Sequence, residues 1–464
     1  MTFVNAIINQ EARTENGMRA RKSTANANVD LFFKIGASRG KDIIPEFTSA
    51  FVENADVAVR IAMWARDVRG GAGERHIFRN VLAHLETHDV AYARVLMHKI
   101  PEIGRWDDLL FLRGALKNEA FAMIQKALIE RNGLCAKWMP RQGELATELR
   151  DFLGFSPKRY RKTLVTLTKV VETQMCAQNW DNIEFAKVPS VASARYKKAF
   201  NRHTPKFAEY VEALTKGDAK VNAGAVYPYD VLKGVQSGMD ATELNHVVAQ
   251  WNALPNYVGD ASVFPLVDVS GSMDTPVSKN ASVTCMDVAV SLGLYLSDKN
   301  TGVFNGAFLT FSQKPELLHL KGNIVQKVKQ MKDSAWGAST NLNNALDLML
   351  LTAKNGNVSQ AEMPKTLLIL SDMQFDADDT RWDDKAQNMM LRKYSESGYM
   401  MPNIVFWNLN AGYENVPVKF DKSGVAMVSG FSPVIMKSVL ASDFDNFTPE
   451  AIMNQAIMID RYSW

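Results

Sequence analysis

The carboxyl-terminal half of the chain consists of wholly apolar runs alternating with helical patterns, and this restricts the fold more than any other feature. The runs cover residues 263–269, 303–311, 366–371, 404–408 and 425–428. Helical spacing falls between and after them, at 282–297, 324–331, 342–353, 383–397, 433–440 and 449–460. A strand without a polar face must be buried on both sides, as in a parallel sheet flanked by helices. The expectation is a doubly wound parallel sheet, whose ligands bind at the carboxyl ends of its strands near a reversal in strand order.

The first run ends at such a position in Asp268-Val269-Ser270-Gly271-Ser272. Three oxygen-bearing side chains on one short loop suit a hard cation such as Mg²⁺, which prefers oxygen donors in an octahedron. Two further segments fit the same edge. Trp336-Gly337-Ala338-Ser339-Thr340 is a small-residue loop opening a helix, and the 366–371 run is followed by Asp372. Asp274 and Asp376 lie close in sequence, where solvated loop carboxylates are the simpler reading.

Residues 1–250 have a different texture. Helical spacing recurs through Phe47, Phe51 and Val52, through Ile61 and Trp64, through Ile77, Val81 and Leu82, and across 109–129 and 160–177. Strand alternation is nearly absent, and Gly or Pro breaks the pattern at Gly70-Gly71, Gly104, Pro140, Pro157, Pro189 and Pro205. Helical pairs of this kind read as a solenoid-like (HEAT-like) repeat or as an irregular bundle. The predicted organisation is α + α/β, with a helical part over 1–255 and the sheet part over 256–464.

Charge adds one constraint. The whole chain carries a net charge of +3, yet residues 131–206 hold 15 basic and 6 acidic side chains, which makes the segment a candidate polyanion surface. The three cysteines are far apart, as expected of a reducing compartment without a disulfide framework. The amino terminus has no basic region followed by an apolar stretch, and no apolar run reaches membrane-spanning length. A cytosolic protein without a membrane partner is expected.

Asp268, Ser270, Ser272, Thr340 and Asp372 resemble, in chain order, the metal-ion-dependent adhesion site of von Willebrand factor A domains. The resemblance implies that these five hold Mg²⁺ directly or through water, with one coordination place open to an acidic residue of a protein partner. The helical part resembles TROVE-module proteins, the Ro autoantigen family, through Arg66-Asp67, Gly70-Gly71-Ala72-Gly73-Glu74-Arg75 and Gly104-Arg105-Trp106-Asp107-Asp108. Lys137-Trp138-Met139-Pro140 and Phe200-Asn201-Arg202-His203 are similar to a branch found in plants, fungi and viruses. That resemblance implies a ring of helical repeats binding small structured or single-stranded RNA. Phosphate contacts would then come from Lys158, Arg159, Arg161, Lys162, Arg195, Lys197, Lys198, Arg202, His203 and Lys206, with Tyr160 and Tyr196 interleaved for stacking.

Enzyme-like fragments do not assemble into a catalytic set. Arg69–Arg75 has three glycines but no Gly-Lys-Ser/Thr ending, so a tight helix–helix turn held by Arg66, Asp67, Glu74, Arg75 and Asp107 is the better account. His84 and His88 stand four apart, with Glu86 off their shared face. The expected function is non-enzymatic. The alternative from another class is an adaptor for an AAA+ ATPase of the MoxR type, acting on protein clients without nucleic acid.

Overall fold

The computed structural model describes residues 11–14, 19–223, 226–233, 235, 239–278, 281–311, 315–333, 342–375, 384–412, 416–440 and 447–464. A short antiparallel hairpin comes first, β1 (Glu11–Arg13) with β2 (Arg19–Arg21). The remaining strands make one sheet: β3 (Val263–Asp268), β4 (Ala307–Phe311), β5 (Leu317–His319), β6 (Thr366–Ser371), β7 (Asn403–Asn408) and β8 (Val425–Ser429). Its order is β5-β4-β3-β6-β7-β8, parallel except for β5, which runs antiparallel on β4. Every residue of β3, β6 and β8 is buried, as strands covered on both faces require. Strand order reverses between β3 and β6, and that reversal opens the crevice where such sheets bind ligands.

Helices fill the chain from Ala27 to Asn252, and their punctuation is local chemistry. Asn54 ends the Ile44–Glu53 helix and caps the next, its side chain accepting from the Val57 amide at 3.2 Å, so the periodicity across 47–64 belongs to two helices. The single helix expected over 109–129 is instead a 3₁₀ turn (Trp106–Phe111) followed by the Lys117–Ile129 helix. Glu86 enforces the break, because its carboxylate takes the amides of Arg113 (2.9 Å) and Leu116 (3.0 Å) out of any helical ladder. The expected 160–177 helix likewise divides into Pro157–Leu167 and Val171–Cys176. The β1–β2 hairpin corrects the expectation of helices throughout this half.

The glycine-rich segment is a tight turn between the Ala55–Arg66 and Arg75–His88 helices. Ala72 and Glu74 donate back to the carbonyls of Trp64 (3.1 Å) and Ala65 (2.6 Å). A Cβ on Gly71 would overlap the Trp64 carbonyl, so only glycine fits. The charged residues around the turn do pair, though with more distant partners than expected. Glu74 binds Arg39 (2.6 Å), Arg66 binds Asp108 (2.7 Å), and Asp67 binds Arg461.

One apolar core runs from Val29 to Tyr462 through both halves. The Ala27–Ile35 helix packs on β8, where the Ser429 hydroxyl donates to the Phe32 carbonyl (2.8 Å) and accepts from the Gly36 amide (3.0 Å). At the other end of the chain, the buried Asp67 carboxylate accepts from Arg461 and from the Tyr462 hydroxyl (3.2 Å). Arg461→Ala leaves that carboxylate short of its charge partner. The expected cost is about 2 kcal/mol, read as a lower denaturant midpoint at constant slope. An unchanged midpoint would show that the clasp contributes nothing.

A polar seam joins the Ser190–His203 and Ala241–Asn252 helices. His246, wholly buried, bonds Ser193 through Nε2 at 2.8 Å, and Gln250 donates to the carbonyl and hydroxyl of Ser190. Burial, then nearby Lys197, pushes the His246 imidazole down to about 4. The folded protein therefore refuses a proton that the unfolded chain accepts near 6.5. Stability is full above pH 6.5 and falls toward pH 4, by about 3 kcal/mol in all. Chemical denaturation at pH 7.5 and 4.5 should show this loss, and His246→Gln should remove its share of the slope.

Candidate cation site and basic groove

The β3–β6 register builds the carboxylate pair. Val267 lies opposite Leu370, so Asp268 and Ser371 come level at the strand ends, and Asp372 follows. The Ser371 hydroxyl donates to Asp268 Oδ2 at 2.5 Å, and the Ser270 amide donates to Oδ1 at 3.0 Å. The hydroxyls of Ser270 and Ser272 stand 3.1 Å apart. Asp372 Oδ1 accepts from the Gln374 amide at 3.1 Å, across a turn in which Met373 adopts a left-handed φ of 67°. A side chain in that region stores strain, as turns at binding sites often do.

Both carboxylates are completely buried. Burial first, and then the Asp372 charge, raise the Asp268 carboxyl well above the ordinary carboxylate range. Two such groups at a water-poor edge are poorly compensated by neutral hydroxyls alone, and a divalent cation is the natural counter-charge. The donors here are two carboxylates and two hydroxyls, all oxygen, which fits Mg²⁺. Thr340 and Asp376 lie outside the described residues. Asp274 is exposed on the loop.

A residue of the helical half reaches this edge. Lys41 donates to Asn410 Oδ1 in the loop after β7, and that loop also takes the Cys285 thiol on the Leu409 carbonyl (3.4 Å). Burial lowers the Lys41 ammonium, while Cys285 and Asp372 act in the opposite sense. Nothing in the sequence around Lys41 marks it, because its position depends on how the two halves pack.

The basic segment forms a second feature. The Glu144–Phe152 and Pro157–Leu167 helices enclose a groove of about 720 Å³ lined by Arg141, Arg150, Lys158 and Arg161, with Tyr160 and Leu164 at its base. Lys158, Arg159, Arg161 and Lys162 are all exposed, and the Arg159 guanidinium lies over the Phe155 ring at 4.1 Å. Tyr160 is buried with its hydroxyl on the Pro140 carbonyl (2.9 Å), so it presents no ring for a base. Arg141 and Arg150 were missing from the sequence-derived candidates, although both lie within the basic 131–206 segment.

The remaining candidates sit on the next helical pair. Arg195, Lys198, Arg202, His203 and Lys206 are exposed. His203 stacks on Trp180 (4.4 Å), and Lys206 donates to the Asp181 carbonyl (2.7 Å). Lys197 is buried, its ammonium lowered by burial, and does not face a phosphate. Tyr196 is half-buried and bonds Glu172 at 3.2 Å. His84 and His88 stack on each other at 4.1 Å on the surface, and His88 Nδ1 is bonded to the His84 carbonyl.

Residues 121–262 match a family model described as a domain of unknown function, DUF2828, and residues 262–457 match another, DUF7788. The groove falls in the first match and the carboxylate pair in the second. Over 504 aligned residues the chain is 31% identical to the uncharacterized protein L728 of Acanthamoeba polyphaga mimivirus, covering 95% of this chain and 86% of that protein. The chain belongs to the family of that viral protein. Among solved structures, the Deinococcus radiodurans RO (RSR) protein is similar at 12% identity, covering 94% of this chain and all of that one, with a TM-score of 0.36. That score is too low to carry an argument. In the family of the viral protein, then, the groove and the carboxylate edge carry the functional question. No helix among the described residues is long and apolar enough to cross a membrane.

Proposed function

We propose that this chain is a non-enzymatic RNA-binding protein of the ribonucleoprotein type, with a separate Mg²⁺-dependent site for a protein partner. On this reading residues 1–255 are a TROVE-like helical-repeat part and residues 256–464 an A-type domain. The observation that carries the RNA reading is the groove, where Arg141, Arg150, Lys158 and Arg161 converge with no carboxylate in the lining. Such a surface attracts phosphates through charge and counterion release, and a cleft concentrates that attraction. The partner reading is supported by the buried Asp268 and Asp372, whose charge calls for a cation. Asp268, Ser270, Ser272 and Asp372, with Thr340, would hold the ion, which would supply a positive centre for a partner's Asp or Glu.

Crosslinking of the purified chain in cells, followed by sequencing of attached RNA, tests the first half. Expected are crosslinks mapping to peptides of residues 141–165. RNA absent from the crosslinked protein would remove the reading.

A further inference from the structure

We propose that Arg75, with Arg79 and Arg105, forms a phosphate-binding site adjoining the groove, one that receives a backbone or terminal phosphate of the bound RNA. This rests on the RNA-binding reading for the identity of the ligand, but not for the existence of the site.

The argument starts from charge. Buried Asp108 accepts from Arg66 Nε (2.7 Å), Arg79 Nε (2.7 Å) and the Arg105 amide (2.9 Å). Asp107 accepts from Arg79 Nη2 (2.8 Å) and from Arg105. Two carboxylates thus already serve three guanidiniums. Arg75 is the fourth, one helical turn before Arg79 on the Arg75–His88 helix and therefore on the same face. Its chain neighbour Glu74 does not compensate it, being turned to Arg39 (2.6 Å).

Four guanidiniums against two carboxylates leave an excess of two positive charges in one place. Arg75 makes no hydrogen bond or ion pair with any described residue and is exposed to solvent. Partial burial disfavours its charge first, and Arg105, Arg66 and Arg79 add repulsion that Asp107 only partly offsets. A cluster built only to hold the glycine-rich turn would have no use for this fourth cation, which raises its electrostatic energy. An anion with several acceptor oxygens is what the arrangement lacks. The planar fork of Arg suits phosphate better than a single-point charge would.

Position ties the cluster to the groove. The Arg105 guanidinium lies over the Trp138 ring at 3.6 Å, and Trp138 closes the Gly133–Trp138 helix. Two residues on, the Pro140 carbonyl receives the hydroxyl of Tyr160, which lines the groove. A strand of RNA lying in the groove therefore has the cluster at one end of its path.

The test compares the full chain with Arg75→Gln. Thermal unfolding is followed in phosphate and in chloride at equal ionic strength. Binding is measured for a short single-stranded oligoribonucleotide, with and without a 5′-phosphate. In chloride, Arg75→Gln should melt higher than the wild type, because like-charge repulsion is relieved and no partner is lost. Phosphate should raise the wild-type melting temperature and leave that of the variant unchanged. RNA affinity should fall about five- to tenfold, with the salt slope reduced by about one. A larger fall for the 5′-phosphorylated oligonucleotide would assign the site to the RNA end, and equal falls would assign it to the backbone. If the wild type binds no RNA but phosphate protects it through Arg75, the site stands with a free phosphate compound as ligand, and the RNA reading fails. Arg75→Gln that leaves both phosphate protection and RNA affinity at wild-type values overturns the site, whether or not RNA binds elsewhere.

Discussion

Asp268→Asn is expected to abolish the response of the protein to divalent cations while making the cation-free protein more stable. The two halves of that statement have one cause. Asp268 and Asp372 are both completely buried, and the charge of each opposes that of the other. Asn keeps the shape and an oxygen that can still accept from the Ser270 amide and the Ser371 hydroxyl, so the local bonding survives. What disappears is one of two negative charges. In EDTA the variant should therefore unfold at a higher temperature than the wild type. With Mg²⁺ at a hundred times its dissociation constant, the wild type should gain about 2.7 kcal/mol by mass action, and the variant nothing. Capture of an acidic protein partner should be lost with it. A loop kept only for packing behaves differently: there Asp268→Asn would lower stability equally with and without Mg²⁺, and that outcome would remove the cation site.

The carboxylate edge was legible because its parts are local. A wholly apolar strand must lie inside the sheet, and the first polar residue after it must lie at the sheet edge. Two such strands put Asp268 and Asp372 together before any side chain is placed. Four of the five strands expected from apolar runs fall within a residue or two of their observed limits. The fifth, 303–311, was read too long: Val303 is exposed, and Gly306, with a φ of 75°, starts the strand only at Ala307. Strand β5 gave no signal, since a three-residue edge strand with exposed ends has no apolar run.

The basic half was less legible, because charge says nothing about facing. Ser193, Lys197 and Phe200 repeat at helical spacing and are all buried against neighbouring helices, so Lys197 belongs to an inward stripe despite its charge. The small and apolar residues on its face were the available signal. Arg141 and Arg150 join Lys158 and Arg161 only because the chain turns at Gly143, with a φ of 87°, and again between the two helices. That meeting is tertiary. The same holds for Arg75, whose significance depends on partners already taken by Asp107 and Asp108.

The groove reading makes the other large prediction. Replacing Arg159, Arg161 and Lys162 by Glu changes the local charge by six units on a single exposed helix face. RNA affinity should fall about a hundredfold or more near physiological salt, and the slope of log affinity against log salt should flatten by about three. The fold should tolerate the change. All three side chains are exposed, and Glu near the start of the Pro157–Leu167 helix suits its dipole. The only packing lost is that of Arg159 on Phe155. Net charge alone would also weaken binding, so the comparison is Lys321, Lys329 and Lys354 changed to Glu, three exposed residues of the sheet half with the same charge change. A localised phosphate surface predicts a small effect there and a large one in the groove. Equal losses in the two triple variants would reduce the groove to a share of the overall charge, and RNA recognition would then have to be sought elsewhere on the molecule.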